Sequence, residues 1–261
     1  MQDILCPMQL TGVAAALTEA LDVPAPRSAA PALEALTALC AGGVDRVLMY
    51  NPDAVALWLF EKYTDLFLPV LRHIRCTLPL RTVMPSVTPV CFGTMYTGAE
   101  PSVHGIRSYT KPVIRTDTVF DALIRAGKKP CIVSTGNDSM SRIFLERSMD
   151  YYIVDTPDEA NARAAALIAE DRHDLIAVYN GNFDSTMHKF GPESPEALEA
   201  LRHNVHAFDT LAKEVRTHWT EHRTLIAFAP DHGCHEIDGA CGSHGLDMPE
   251  DMNIVHFYGI L

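Results

Sequence analysis

Short apolar runs alternate with helix-like segments along most of this chain, and that alternation restricts the folds open to it. RVLMY (46–50), PCIVS (130–134), YYIV (151–154), DLIAVYN (174–180) and RTLIAFAP (223–230) have the length and composition of strands. TLPLRTVM, running into Pro85, and NIVHFYGIL at the end read as two more. Between them lie a helix in TVFDALIRAG ending at Gly127, a capped helix in TPDEANARAAALIAEDR, and a long helix over about 195–219. Residues 53–75 are helical in pattern, with a break or kink at Pro69. Residues 8–21 and 31–41 read as two helices joined by DVPAPRSAAP, which carries three prolines. Strands that alternate with helices predict an α/β fold, a three-layer αβα sandwich around a mostly parallel central sheet. No repeat or composition shift forces a boundary, so residues 1–261 are expected to be one domain. In it, 1–43 is an accessory helical pair and 44–261 the core.

Composition narrows the function. The chain is 48% hydrophobic and 21% charged, enough apolar material for a sizeable core. A net charge of −12 disfavours a grip on a nucleic-acid polymer, which needs a basic face. It still permits a small anionic substrate, because bound metal ions reverse the local field. MQDILCPMQLTGVAAAL lacks the basic and apolar regions of a signal peptide, and no apolar run is long enough to cross a bilayer. Seven scattered cysteines with no CxxC fit a reduced, cytoplasmic protein.

Six ligand-type side chains and one hydroxyl stand out by position. Asp184 and His188 lie four apart in YNGNFDSTMHKFGP, Asp231 and His232 are adjacent in FAPDHG, and His244 follows in CGSHG. Asp53 follows the RVLMY run, and Thr88 opens PSVTPVCFGTMYTG. Asp53, Asp184 and Asp231 each come just after an apolar strand, where open α/β sheets gather their sites. Asp and His suit zinc and similar divalent ions. Two such ions side by side can clamp the attacking and leaving oxygens of a displacement at phosphorus. Each residue alone has an ordinary reading. Thr88-Pro89 is a normal helix start, with Thr88 as N-cap and Pro89 at the first helical position. Asp184 and His188 fit a solvated helical pair, and Asp231-His232-Gly233 fits a turn. Cys91, Cys234 and Cys241 read as buried small hydrophobes, and His235 as a residue supporting the ligands.

Taken together the motifs resemble the alkaline phosphatase superfamily, most of all its type I phosphodiesterase/nucleotide pyrophosphatase branch. PSVTPVCFGTMYTGAEPSVHGI (85–106) is similar to that branch's nucleophile segment, YNGNFDSTMHKFGP to its Tyr…Asp-x3-His-x2-Gly-Pro pattern, and APDHG and GSHGLD to its later Asp-His-Gly and His-Gly elements. The resemblance implies an alkaline-phosphatase-like core without a large cap. It implies that Asp184, His188 and His244 hold one divalent ion. Asp53, Asp231 and His232 would hold the other, with the Thr88 oxygen as nucleophile and further ligand. Zinc is the first choice of metal, with manganese or iron as alternatives. The helix opening at Thr88 would add backbone N–H groups and a positive dipole end.

Departures from the family pattern bear on substrate. The Asn that usually follows HGI is replaced in HGIRSYTKP, where Tyr109 stands at about that place and Arg107 and Lys111 offer charge. VSTGNDSMSR supplies Asn137 and Asp138 but no Lys-Asp-Arg motif of the monoesterase branch, with Arg142 as a substitute. The expected activity is cleavage of a diester or pyrophosphate bond in a small phosphorylated substrate. The alternatives are a phosphomonoesterase or phosphonate hydrolase, and a metal-binding regulatory protein on a decayed hydrolase fold.

Overall fold

The computed structural model describes residues 5–239 and 241–261. Nine strands run in chain order as β1 (Arg46–Pro52), β2 (Cys76–Arg81), β3 (Pro130–Thr135), β4 (Asp150–Val154), β5 (Leu175–Asn180), β6 (Thr224–Phe228), β7 (His235–Ile237), β8 (Cys241–Ser243) and β9 (Asn253–Ile260). Seven of them form one sheet in the order β2-β9-β6-β1-β5-β3-β4. All neighbours are parallel except β9, which runs antiparallel to both β2 and β6. The sheet is therefore mixed and mostly parallel, as the strand-helix alternation predicts. Pro79 lies on β2, an edge strand, where its missing N–H breaks no interior ladder.

Period-two alternation splits the core into two layers. Val47 and Met49, Leu175 and Ala177, and Leu225 and Ala227 point to one face. Leu48 and Tyr50, Ile176 and Val178, and Ile226 and Phe228 point to the other. The first face is covered by the helices Val13–Ala20, Thr88–Thr97 and Val119–Arg125, the second by Pro157–Glu170 and Pro195–His218. Leu10, Val13, Ala14 and Leu17 are fully buried in the first layer, so the helix Val13–Ala20 is packed into the sandwich. The capped helix carries both halves of a capping box. Thr156 Oγ1 accepts from the Glu159 amide, and Glu159 accepts from the Thr156 amide.

Two local expectations change. Residues 53–75 do not form one helix. Asp53–Ala56 make a turn after β1, followed by the helix Leu57–Lys62, a 3₁₀ turn Thr64–Phe67 and the helix Leu68–Leu71. Pro69 sits in the first turn of that last helix, where its missing N–H costs nothing, and so starts a helix instead of kinking one. The helix near Thr88 also shifts by one residue. Val87 is its N-cap and makes no side-chain cap, so Thr88 is already helical and its hydroxyl is free of capping.

Sheet register places the site. β6, β1 and β5 are adjacent and parallel, with Tyr50 opposite Phe228 and Pro52 opposite Asn180. The Ala229 amide donates to the Tyr50 carbonyl at 2.8 Å and the Asp53 amide to the Asn180 carbonyl at 3.0 Å. Three strand ends are thereby locked side by side. Phe228 closes β6 and contacts the rings of Tyr50, Phe67, Phe208 and Phe257. Replacing this fully buried ring, Phe228→Ala, is expected to cost about 3–5 kcal/mol of unfolding free energy. A denaturant titration reads this directly, and a loss below about 1 kcal/mol would contradict the packing described.

Candidate metal centre

The carboxyl ends of the three central strands each deliver a carboxylate. Asp53 directly follows β1, and Asp231 comes three residues after β6. Asp184 lies in the first turn of the helix Asn182–Phe190, which follows β5 and places His188 one turn further on the same face. His232 adjoins Asp231, and His244 follows the β7–β8 hairpin. The six ligand-type residues singled out by sequence order thus come together, in two groups. Ligand-type atoms of Asp184, His188 and His244 all lie within 4.8 Å of one another, as do those of Asp53, Asp231 and His232. The groups adjoin, with the rings of His232 and His244 centred 4.1 Å apart.

Hydrogen bonds from the far side of each ring set its tautomer. His188 Nδ1 lies 2.9 Å from the Gly242 carbonyl, His232 Nδ1 2.9 Å from that of Gly233, and His244 Nδ1 3.0 Å from that of Ser86. A carbonyl can only accept, so each Nδ1 carries a proton, and each ring turns Nε2 inward with its lone pair available once that nitrogen is deprotonated. His188 Nε2 and His244 Nε2 are 3.2 Å apart, and each is 3.3 Å from Asp184 Oδ1. His232 Nε2 is 3.2 Å from Asp53 Oδ1 and 3.4 Å from Asp231 Oδ2. With Nε2 deprotonated these are acceptors pointed at acceptors, an arrangement that a proton or a metal cation relieves.

The electrostatics agree. Burial, reinforced by Asp184, pushes the Asp53 carboxyl up to about 7. Burial and Asp53 push Asp231 well above the usual carboxylate range. Burial also lowers His232 to about 3, so its ring is neutral. Asp184 is held low despite its burial, by His188 and His244, and its hydrogen bond in turn raises His188 to about 9. Among the described residues no lysine or arginine pairs with these three carboxylates, whose ionic partners are the histidines alone. Asp184 Oδ1 and Asp231 Oδ2 are buried without a hydrogen-bond partner. Three carboxylates and three inward-facing imidazoles fit two divalent ions of the zinc kind.

Thr88 lies at the edge of this constellation and is 3% exposed. Its Oγ1 is 3.3 Å from His232 Nε2 and donates toward Asp53, with Oδ2 at 3.3 Å and Oδ1 at 3.5 Å. Few free amides accompany it. Pro89 has none, and the Val90 and Cys91 amides both donate to the Val87 carbonyl at 3.0 Å. The helix end therefore acts mainly through its dipole. Ala54, beside Asp53, takes φ 64 in the left-handed region, a cost of roughly 1–2 kcal/mol. Its amide donates to Asp231 Oδ1 at 3.3 Å.

A cleft of about 500 Å³ opens beside Asp53 and Asp184, with Tyr109, Lys111, Asn137 and Asp138 in its lining. Tyr109 is 60% exposed, and Lys111 Nζ sits 5.3 Å over its ring while donating to the Asn137 carbonyl at 2.8 Å. Arg107 and Arg142 are not in the cleft lining, and Arg107 donates to the Ser102 carbonyl at 3.1 Å. Ser86 turns its hydroxyl to the Leu246 carbonyl. Cys91 and Cys234 are buried and Cys241 is half-buried. His235 binds Asp251 at 2.7 Å. Asp251 also accepts the Leu246 amide, which ties the loop after His244 to the segment after His232. Sequence reasoning misses Asp251 and Tyr179, whose hydroxyl donates to Asp53 Oδ2 at 2.5 Å. Tyr179 is the tyrosine of the YNGNFDSTMHKFGP motif, but its place near the end of an apolar strand gives no sign of this role. Asp251 lies in the short acidic turn PEDM, indistinguishable from a solvated one.

The family model described as type I phosphodiesterase / nucleotide pyrophosphatase matches residues 142–254, a span that holds Asp184, His188, Asp231, His232 and His244. That stretch of the chain is similar to the type I phosphodiesterase/nucleotide pyrophosphatase family. Asp53 and Thr88 lie outside the matched span. Human ectonucleotide pyrophosphatase/phosphodiesterase family member 7 is 37% identical over 78 residues, 30% of this chain and 17% of that protein. Murine ectonucleotide pyrophosphatase/phosphodiesterase 5 superposes with a TM-score of 0.59 at 15% identity, over 74% of this chain and 58% of the other. An inactive threonine-to-alanine variant of that murine protein, in complex with AMP, gives a TM-score of 0.60 at 15% identity over the same shares. The chain thus spans under two thirds of either relative, and the murine likeness shows the α/β fold alone.

Asp53→Asn tests the charge argument. In chelator at pH 8, above the value of about 7, Asp53 is ionised in folded and unfolded chains alike, so the folded state bears the whole cost of burying the charge. The Asn variant is expected to unfold at a higher temperature than the chelated parent while retaining less metal by elemental analysis. Unchanged metal content would remove Asp53 from the ligand set.

Proposed function

We propose that this chain is a two-metal hydrolase that cleaves a phosphodiester or pyrophosphate bond in a small substrate, with Thr88 as nucleophile. The observation that carries the reading is the position of Thr88 Oγ1, 3.3 Å from both Asp53 Oδ2 and His232 Nε2 and free of helix capping. Asp184, His188 and His244 would hold one ion, and Asp53, Asp231 and His232 the other. Such ions would lower the pKa of the threonine hydroxyl and neutralise charge on the leaving oxygen. Zinc is the first choice by donor type, with manganese or iron as alternatives.

The chain's own residues supply geometry. Burial of Thr88 keeps bulk water from its oxygen, and the helix dipole favours an anion in front of it. The Thr88 hydroxyl gives up its proton as the Oγ1–phosphorus bond forms, the bond to the leaving oxygen breaks, and the electron pair departs with that oxygen, which takes up a proton. Water then attacks phosphorus, the Oγ1–phosphorus bond breaks, and a proton from that water restores the hydroxyl as the product leaves. The inactive threonine-to-alanine variant of the murine structure is consistent with this role, and its bound AMP favours a nucleotide-like ligand.

Diester or pyrophosphate preference is supported by the sparse positive charge in the cleft. Lys111 is engaged by the Asn137 carbonyl, and Arg107 and Arg142 stand outside the lining. A monoester dianion needs more positive charge than this, whereas Tyr109 offers an exposed face to a base or an ester group. The runner-up is a phosphomonoesterase or phosphonate hydrolase. A decayed, metal-binding regulator is disfavoured by the complete ligand set with Thr88 beside it. Among the described residues no helix is long and apolar enough to cross a membrane. A cytoplasmic location is part of the same proposal, on the seven unpaired cysteines.

With zinc or manganese added, kcat/KM is expected to be higher for bis-p-nitrophenyl phosphate than for p-nitrophenyl phosphate. A clear monoester preference that collapses in Lys111→Ala or Arg107→Ala would promote the runner-up. Thr88→Ala should lower turnover by on the order of 10³-fold or more with metal content retained, and Thr88→Ser should keep part of it. Near-parental turnover in Thr88→Ala would eliminate the threonine as nucleophile.

A further inference from the structure

Tyr179 belongs to β5, and its ring stands edge-on to Phe92, with centroids 5.7 Å apart and planes at 78°. Only the hydroxyl reaches the metal centre, where it donates to Asp53 Oδ2 at 2.5 Å. The other carboxylate oxygen, Oδ1, faces His232 Nε2 at 3.2 Å. Asp53 is therefore gripped through one oxygen and presented through the other.

The room for this grip comes from Gly181. A β-carbon there would lie 2.6 Å from Tyr179 Oη and 3.1 Å from Cζ, closer than van der Waals contact allows. The backbone of Gly181, at φ −91 and ψ 14, is open to any residue. Conformational freedom is thus not the reason for a glycine at this point, and the space taken by the tyrosine hydroxyl is.

We infer that Tyr179, seated by the missing side chain of Gly181, is a positioning residue that fixes the rotation of the Asp53 carboxylate toward the group of Asp53, Asp231 and His232. The inference rests on the two-metal reading proposed above. Carboxylates that ligate metals are commonly oriented by an outer hydrogen bond, and loss of that bond typically costs about 10–100-fold in metal affinity. A tyrosine that merely satisfies its own buried hydroxyl would affect stability and leave metal affinity alone.

Competitive titration of the metal-free chain with zinc against a chelating dye separates the cases, with thermal unfolding run in parallel to confirm folding. Tyr179→Phe keeps the ring against Phe92 and removes only the hydroxyl. The expected result is one of two zinc sites weakened about 10–100-fold and the other changed by less than about two-fold. Gly181→Ala should weaken the same site by displacing the tyrosine, and the double variant should lose no more than the larger single loss. Two zinc sites in the parent with unchanged affinities in Tyr179→Phe overturn the assignment alone. Full additivity of the two substitutions overturns the role given to Gly181. A parent chain that binds fewer than two zinc ions overturns the two-metal reading and this inference with it.

Discussion

Three carboxylates set side by side and largely buried, with no lysine or arginine paired to them among the described residues, are the constraint on which the rest of the structure depends. Asp53, Asp184 and Asp231 come from the ends of three neighbouring parallel strands, so sheet register alone brings them together. In a chain selected for stability alone, such a cluster would be neutralised by a basic side chain or replaced by apolar ones. Here the surrounding groups are imidazoles with Nε2 turned inward and a threonine hydroxyl. The fold thus holds a deficit of positive charge at one edge of its sheet, and the ordinary way to make up such a deficit is with metal ions.

The layers on either side keep that edge rigid. Rings of Tyr50, Phe67, Phe208, Phe228 and Phe257 fill one face directly behind the strand ends. On the other face Tyr96 donates to Asn51 Oδ1 at 2.6 Å, and Asn51 donates to the Ala229 carbonyl at 2.8 Å. That relay joins β1 to the segment after β6 just below Asp53 and Asp231. Positional precision at the site is therefore inherited from close-packed strands, while the cleft beside it is lined by loops.

Legibility from sequence follows the same division. Apolar runs mark buried strands because burial on both faces demands continuous hydrophobicity, and Asp53, Asp184 and Asp231 are visible because each closes such a run. Thr88 is visible as a helix start, but helix-start residues usually cap, and only the structure shows a hydroxyl released for the site. Residues 53–75 read as helical from the start, with a break or kink only at Pro69, because apolar spacing is blind to a left-handed turn at Ala54. Arg107 and Lys111 lie close in sequence to Tyr109, yet only Lys111 joins it in the cleft lining. Such loop paths depend on contacts far along the chain. Tyr179 is hidden for the opposite reason, since its ring belongs to the core and only its last atom to the site.

The carbonyl anchors behind the three histidines distribute mutational tolerance unevenly. A backbone oxygen survives substitution of its own side chain, so in principle all three anchors could drift freely. Two of them belong to glycines with no space to spare. A β-carbon on Gly233 would fall 2.0 Å from the Glu250 carbonyl oxygen, and one on Gly242 would fall 2.5 Å from Met187 Sδ. Ser86 differs, because its fully buried side chain makes only a long contact to the Leu246 carbonyl, so a residue no larger than serine can take its place while the carbonyl stays. Variation around this centre is therefore channelled to the Thr88 side, where the histidine support is carried by a replaceable residue, and away from the two glycine turns that hold His188 and His232.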